Sequence, residues 1–189
     1  MSLTNEMIRQ AFSIMGAYLR DRKTVGEIAV YGGSAILLQF EWRTVTRDVD
    51  AVIVSTGNHG LVEEAAKVAA AQLGLLRSWL SEAVAQYTSS EAGAQGLRLS
   101  GFYPEDGVPG LRVLVATPQY LLAMKLIALE RATATDRDFE DAKMLAREVG
   151  VTTVEELQEI YRSYFPGRSL PDRAASRLEE LENAIRRST

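Results

Sequence analysis

The sequence predicts an α+β protein, because its strand-like segments lie ahead of Pro118 and only helical periodicity follows it. Short runs rich in Val, Ile and Leu occur at 27–31, 48–54, 97–102 and 111–116, bounded by glycine, proline or asparagine. Beyond Pro118, apolar residues recur at three- and four-residue steps, the spacing of one helix face. Strands first and helices afterwards favour a small mixed sheet flanked by helices, with a helical C-terminal half.

Taken in order, Ile8, Ala11, Phe12, Met15, Tyr18 and Leu19 define one face of an opening helix that ends near Gly26. Glu27 to Tyr31 reads as a short buried strand, broken by Gly32-Gly33. Ser34 to Trp42 resumes with helical spacing at Ala35, Ile36, Leu38 and Phe40. Asp48 to Val54 is a β-branched strand that stops in the turn-forming run Ser55-Thr56-Gly57-Asn58. Leu61 to Leu73 is an alanine-rich helix with Gly74 as its C′ residue. The stretch from Trp79 to Gly96 carries no clear period. Leu97 to Phe102 and Leu111 to Ala116 are strands flanking Tyr103-Pro104-Glu105-Asp106-Gly107, a candidate hairpin loop. The remaining helices span Gln119 to Ala132, Asp136 to Glu148, Thr153 to Tyr161 and Asp172 to Arg187, and Thr153 with Glu156 has the form of a capping box. No repeat, low-complexity segment or linker separates domains. The expectation is a core over 1–117 with a helical region over 118–189 packed on it as one compact unit.

Composition narrows the chemistry. A chain of 189 residues that is 47% hydrophobic can bury one sizeable core. The absence of cysteine excludes disulfides and thiolate zinc sites, and a single histidine leaves little nitrogen for ligation, so a hard cation held by oxygen is the expected metal. The chain opens on no signal-like segment and has no apolar run of membrane-spanning length, so a cytoplasmic location with no membrane partner is expected. A net charge of −4 argues against coating nucleic acid by bulk electrostatics.

Asp48 and Asp50 stand two apart on a predicted strand, which turns both carboxylates to one face roughly 6 to 7 Å apart at the backbone, within reach of a shared magnesium ion. An acidic solvent face of an edge strand is the alternative. Gly32-Gly33-Ser34 lies between a strand and a helix, where small residues admit a ligand and helix amides point at an anion. An ordinary tight turn with Ser34 as N-cap is the alternative there. His59 reads as an exposed loop residue outside the site, and Trp42 and Trp79 read as core.

Tyr31-Gly32-Gly33-Ser34-Ala35 followed by Arg43-Thr44-Val45-Thr46-Arg47-Asp48-Val49-Asp50 resembles the glycine signature and paired aspartates of the polymerase-beta-like nucleotidyltransferase superfamily. Within it, the chain is similar to bacterial nucleotidyltransferase-like proteins related to the AbiEii toxins of type IV toxin–antitoxin systems. Leu121-Leu122-Ala123-Met124-Lys125-Leu126 and Arg137-Asp138-Phe139-Glu140-Asp141 match that group's later lysine helix and R-D-x-x-D helix. The resemblance spans about residues 28 to 148.

It implies a nucleotidyltransferase fold with phosphate contact at Gly32, Gly33 and Ser34. Magnesium or manganese would be held by Asp48 and Asp50. It further implies a nucleotide-phosphate contact by Lys125 and a catalytic or structural role for Asp138 or Asp141. Read from the residues alone, Lys125 is a helix-surface lysine, and Asp138 and Asp141 pair with Arg131, Arg137 or Lys143. The implied activity is transfer of a nucleotidyl group from a nucleoside triphosphate to an RNA, such as tRNA, or to a protein acceptor, as the toxin of a pair with a cognate antitoxin. The alternative is a catalytically degenerate fold kept as a nucleotide- or protein-binding module.

Two departures bear on activity. Leu111 to Ala116 lacks the third carboxylate that the superfamily carries on a later strand. Thr44 stands where relatives have arginine, with Arg43 and Arg47 nearby as candidates to neutralise phosphate oxygens.

Overall fold

The computed structural model describes residues 2–89, 92–129, 135–168 and 172–187. It is α+β, and its residues divide into two units, 1–86 with 97–116 and 87–96 with 117–189.

The first unit carries a five-stranded mixed sheet in the order β3-β2-β1-β5-β4, built from β1 (Gly26–Val30), β2 (Val49–Ile53), β3 (Leu80–Ser81), β4 (Leu97–Tyr103) and β5 (Leu111–Ala116). β1 runs antiparallel to β2 and parallel to β5; β4 and β5 form the expected antiparallel hairpin, with a bulge between Leu99 and Gly101. Three helices belong to this unit: α1 (Asn5–Asp21), α2 (Gly32–Gln39) and α3 (His59–Leu73).

Register separates two faces. Ile28 lies opposite Ile53 and Val113, and Val30 opposite Ala51 and Val115, so these buried residues share one face by alternation. α1 and α3 cover it closely: a Cβ added at Gly26 would lie 2.8 Å from Val62 and 2.9 Å from Leu19. α3 can approach because its buried stripe is Val62, Ala65, Ala66, Ala69 and Ala70, and Trp79 locks onto it by donating from Nε1 to the Ala66 carbonyl at 3.0 Å. The opposite face carries Glu27, Ala29, Asp50, Val52, Arg112 and Leu114, which are less buried as a set.

Three local expectations need correcting. Tyr31 is the N-cap of α2 rather than the end of β1, and Ser34 is the third residue of that helix rather than its cap. Gly32 makes this possible, since its φ of +58° turns the chain from strand to helix with no intervening loop. Asp48 sits in the bend before β2, not within it. The unreadable stretch after Trp79 folds as the two-residue β3 and two 3₁₀ turns, pieces too short to leave a period in the sequence.

The second unit contains α4 (Pro118–Leu129), α5 (Asp136–Val149), α6 (Val154–Tyr164) and α7 (Asp172–Arg186). α4 is apolar around most of its circumference, interrupted by Gln119 at its exposed start and by Lys125, as suits a central helix, and α5, α6 and α7 all contact it. Tyr120, Leu126, Leu145, Leu157, Tyr161, Leu178 and Leu181 form its core. Thr153 and Glu156 make the expected capping box on α6, and Thr135 with Asp138 makes a second on α5. The expected end of α4 at Ala132, and Arg131 as an ion-pair partner, lie outside the described residues.

Two glycines supply a stability test. Gly16 faces the Tyr103 backbone so closely that a Cβ would run into its carbonyl, whereas Gly60, inside α3, has open space around it. Gly16→Ala should destabilise by about 1 to 3 kcal/mol through overpacking. Gly60→Ala should stabilise by about 1 kcal/mol through helix propensity. Chemical denaturation of both variants checks the opposite signs.

Candidate functional site

The β1–α2–β2 unit brings Asp50 to the glycine turn. Tyr31 donates its N–H to the Asp50 carbonyl at 2.8 Å, and this sets the level at which β2 passes the end of β1. The Asp50 carboxylate thereby occupies the space a side chain at Gly32 would need, since a Cβ there would lie 2.5 Å from Oδ2. Gly33 is bare for a matching reason: a Cβ would lie 2.7 Å from Nη2 of Arg43 and 3.2 Å from Oγ1 of Thr46. The two glycines are therefore flanked by an acid on one side and a guanidinium on the other.

The loop that carries these groups is pinned. Leu3 and Thr46 exchange backbone hydrogen bonds of 2.7 and 3.0 Å, and Arg43 Nε donates to the Val45 carbonyl at 2.9 Å. Asp48 is half-buried in the bend that follows, two residues before Asp50 and outside β2, so strand alternation does not fix its side chain. Arg47 is exposed; Arg43 is the arginine that reaches the turn.

Tyr31 offers no side-chain cap, so the first amides of α2, those of Gly32, Gly33 and Ser34, have no acceptor within the helix and point out of its positive end. Ser34 contributes only through its amide. Its side chain is 1% exposed and its hydroxyl donates inward to the Tyr31 carbonyl at 2.9 Å.

No acid stands on β5. On the Asp50 face it presents Arg112, which pairs at 2.8 Å with Glu27 of β1. Glu27 is four residues before Tyr31 on its strand, about 13 Å from the Asp50 level, so it does not substitute for the missing carboxylate.

The later motifs meet in the second unit. Lys125, 12% exposed, is the one charge on α4, and its ammonium lies 2.8 Å from Asp138 Oδ1 and 2.8 Å from Asp141 Oδ2 on α5. A nearly buried cation is stable only with counterions, and residues three apart on one helix face supply two. Asp138 also accepts from the Thr135 amide at 3.1 Å and hydroxyl at 2.8 Å, so one carboxylate caps α5 and ties it to α4. Burial alone would raise the Asp138 carboxyl; the Lys125 hydrogen bond and charge, aided by Thr135, hold it below its ordinary value instead. Lys143 pairs with Glu140, and Arg137 is exposed. In this unit Lys125, Asp138 and Asp141 form an interhelical ionic lock.

Comparison of the chain with protein-family models, with curated proteins and with solved structures gives no match. No helix among the described residues is long and apolar enough to cross a membrane. The sequence leaves Arg43 and Arg47 both open as phosphate partners, and only the pinned loop shows that Arg43 turns inward. One further group is not apparent from the sequence. His59 was set aside, yet with Glu63 and Glu82 it forms a cluster whose ligand atoms lie within 4.8 Å of one another. The four-residue spacing of His59 and Glu63 is legible in the sequence; Glu82, inside the stretch from Trp79 to Gly96 that carries no clear period, is not.

Replacing Lys125 by Met leaves two carboxylates facing an apolar helix and should cost about 3 kcal/mol, the lower end of the range for fully buried pairs, because Asp138 is partly exposed. Asp138 has a lowered folded value, so its contribution is complete above the ordinary carboxylate range and is lost as pH falls through that lowered value. The stability gap between wild type and Lys125→Met should therefore narrow in acid. Urea denaturation across that range measures it.

Proposed function

We propose that the first unit binds a magnesium-complexed nucleoside triphosphate and transfers its nucleotidyl group to an RNA or protein acceptor. The observation that supports this best is the glycine turn at the start of α2, bordered by the Asp50 carboxylate and the Arg43 guanidinium. Amides at a helix N-terminus and a planar cation suit phosphate oxygens; a carboxylate pair two residues apart suits a hard divalent cation. The order of the sequence motifs, similar to that of the polymerase-beta-like nucleotidyltransferases, agrees with the same reading.

In this reading the amides of Gly32 and Gly33, with Arg43, hold the triphosphate tail. Asp48 and Asp50 would hold magnesium, or manganese, which would supply neutralisation of the charge developing on the phosphoryl oxygens. An acceptor hydroxyl attacks the α-phosphorus in line, the bond to the β-phosphate oxygen breaks, and pyrophosphate leaves. The two aspartates orient the reacting groups. Membership of a toxin–antitoxin pair, with a cognate antitoxin as partner, belongs to the same proposal.

One observation favours a second reading. β5 presents Leu114 and Ala116, not an acid, on the Asp50 face nearest the Asp50 level, where a third acid would activate the attacking hydroxyl, which suits a module that binds nucleotide without turnover.

Thermal shift and turnover separate the two. Magnesium with nucleoside triphosphate should raise the melting temperature, with neither component sufficient alone, by the equivalent of about 2.7 kcal/mol at a hundredfold excess over Kd. Asp48→Asn with Asp50→Asn should abolish the shift measured against that variant's own unliganded value. Release of pyrophosphate with labelled triphosphate and total RNA or protein supports transfer; binding without release supports the module. No shift with any of the four common triphosphates at millimolar concentration overturns both.

A further inference from the structure

A second cluster in the first unit has different chemistry, and its argument is independent of the glycine turn. His59 and Glu63 lie four apart on α3, one above the other on a single face. Glu82 comes from the residue after β3. Its position has a backbone cause: odd-numbered residues of β2 turn their N–H groups toward β3, where Val49 donates to the Trp79 carbonyl. β3 is only two residues long and does not reach Ile53. Glu82 Oε1 fills that place and accepts from the Ile53 N–H at 3.0 Å. Its other oxygen, Oε2, lies 3.0 Å from His59 Nε2.

We propose that His59, Glu63 and Glu82 form a binding site for a divalent transition-metal ion, with zinc the ion that suits it best. One imidazole and two carboxylates match the donor preferences of zinc and balance its charge, and the imidazole disfavours magnesium and calcium. The three ligand atoms lie within 4.8 Å of one another, and tetrahedral zinc at about 2.1 Å from each ligand needs them about 3.4 Å apart. Glu63 is exposed and closes that difference by a rotamer change.

Glu82 is already oriented by a hydrogen bond to the oxygen that faces away from His59, the kind of outer contact that fixes a metal ligand. The start of α3 is fixed too, because Asn58 Nδ2 donates to the Val25 carbonyl at 2.8 Å. On binding, zinc replaces the Nε2 proton of His59; the ring keeps its proton on Nδ1, and any second proton passes to solvent. Three protein ligands leave a fourth position for water.

His59 is the only histidine of the chain, so its ring nitrogens can be observed without assignment in the tag-free full-length protein. Zinc added to nitrogen-15-labelled protein should move the Nε2 resonance to a metal-bound position and saturate at one equivalent. The same change should occur in the Asp48→Asn, Asp50→Asn variant, which separates this site from the magnesium site. In that background, competition with a chromophoric chelator should show His59→Ala, Glu63→Gln and Glu82→Gln each weakening zinc binding by about tenfold or more. Glu82→Gln keeps an oxygen for the Ile53 N–H, so the fold is retained. An imidazole spectrum unchanged by zinc overturns the proposal. So does a shift of the ring with zinc affinity unaltered in both glutamine variants, because that outcome describes a lone histidine.

Discussion

The hydrogen bond from the Tyr31 N–H to the Asp50 carbonyl, 2.8 Å long, fixes the register of β2 against β1 at the point where β1 gives way to α2. Alternation makes that register decisive. A slip of one residue would turn Asp50 toward the face buried under α1 and α3 and expose Val49 and Ala51 in its place. Burial of Ala51 and Ile53 against Val30 and Ile28 resists such a slip, so the apolar face holds the acid where it stands. The glycines follow from the same constraint. With Asp50 and Arg43 seated against the turn, Gly32 and Gly33 have no room for a Cβ, and Gly32 also needs its positive φ.

The second unit meets a different constraint. α4 is surrounded by other helices and can tolerate a charge only if its partners arrive with it. Lys125 meets two carboxylates at 2.8 Å, and Asp138 is shared with the cap of α5. A group used both to start a helix and to neutralise its neighbour makes formation of α5 and its docking on α4 parts of one event. The lysine and R-D-x-x-D pattern read from sequence as a nucleotide-facing motif thus has a sufficient explanation in helix packing. Both oxygens of Asp138 already have partners, on Lys125 and on Thr135.

Much of this was legible because it rests on local periodicity. Ile8, Phe12, Met15 and Leu19 repeat at helical spacing and are buried; Leu111 to Ala116 reads as a strand and is one over the expected residues. The strand, glycine turn, helix, strand order was also visible, since Gly32-Gly33 punctuates it. What escaped depends on contacts distant in sequence. Tyr31 as N-cap gives no signal because it caps without its side chain. The inward turn of Arg43 rather than Arg47 follows from the Leu3–Thr46 bridge, a pairing across more than forty residues. Asp138 and Asp141 read from sequence as partners of the nearby cations Arg131, Arg137 or Lys143, whereas the partner observed, Lys125, lies further back on α4.

Two different donor sets consequently lie beside the two ends of β2. Near its start Asp48 and Asp50 offer oxygen alone; at its end, about 10 Å further on, the Ile53 N–H anchors Glu82 beside the single imidazole of the chain. Oxygen donors in a flexible acidic pair suit a hard ion that keeps part of its water, and one nitrogen among two carboxylates shifts preference toward zinc. The ions would not compete on equal terms for the two places. Zinc binds most oxygen and nitrogen ligand sets more tightly than magnesium does, so in the proposed reading zinc in excess would also compete for the aspartate pair. In the zinc-site proposal, an imidazole-containing site beside the end of β2 would take up the first equivalent of zinc.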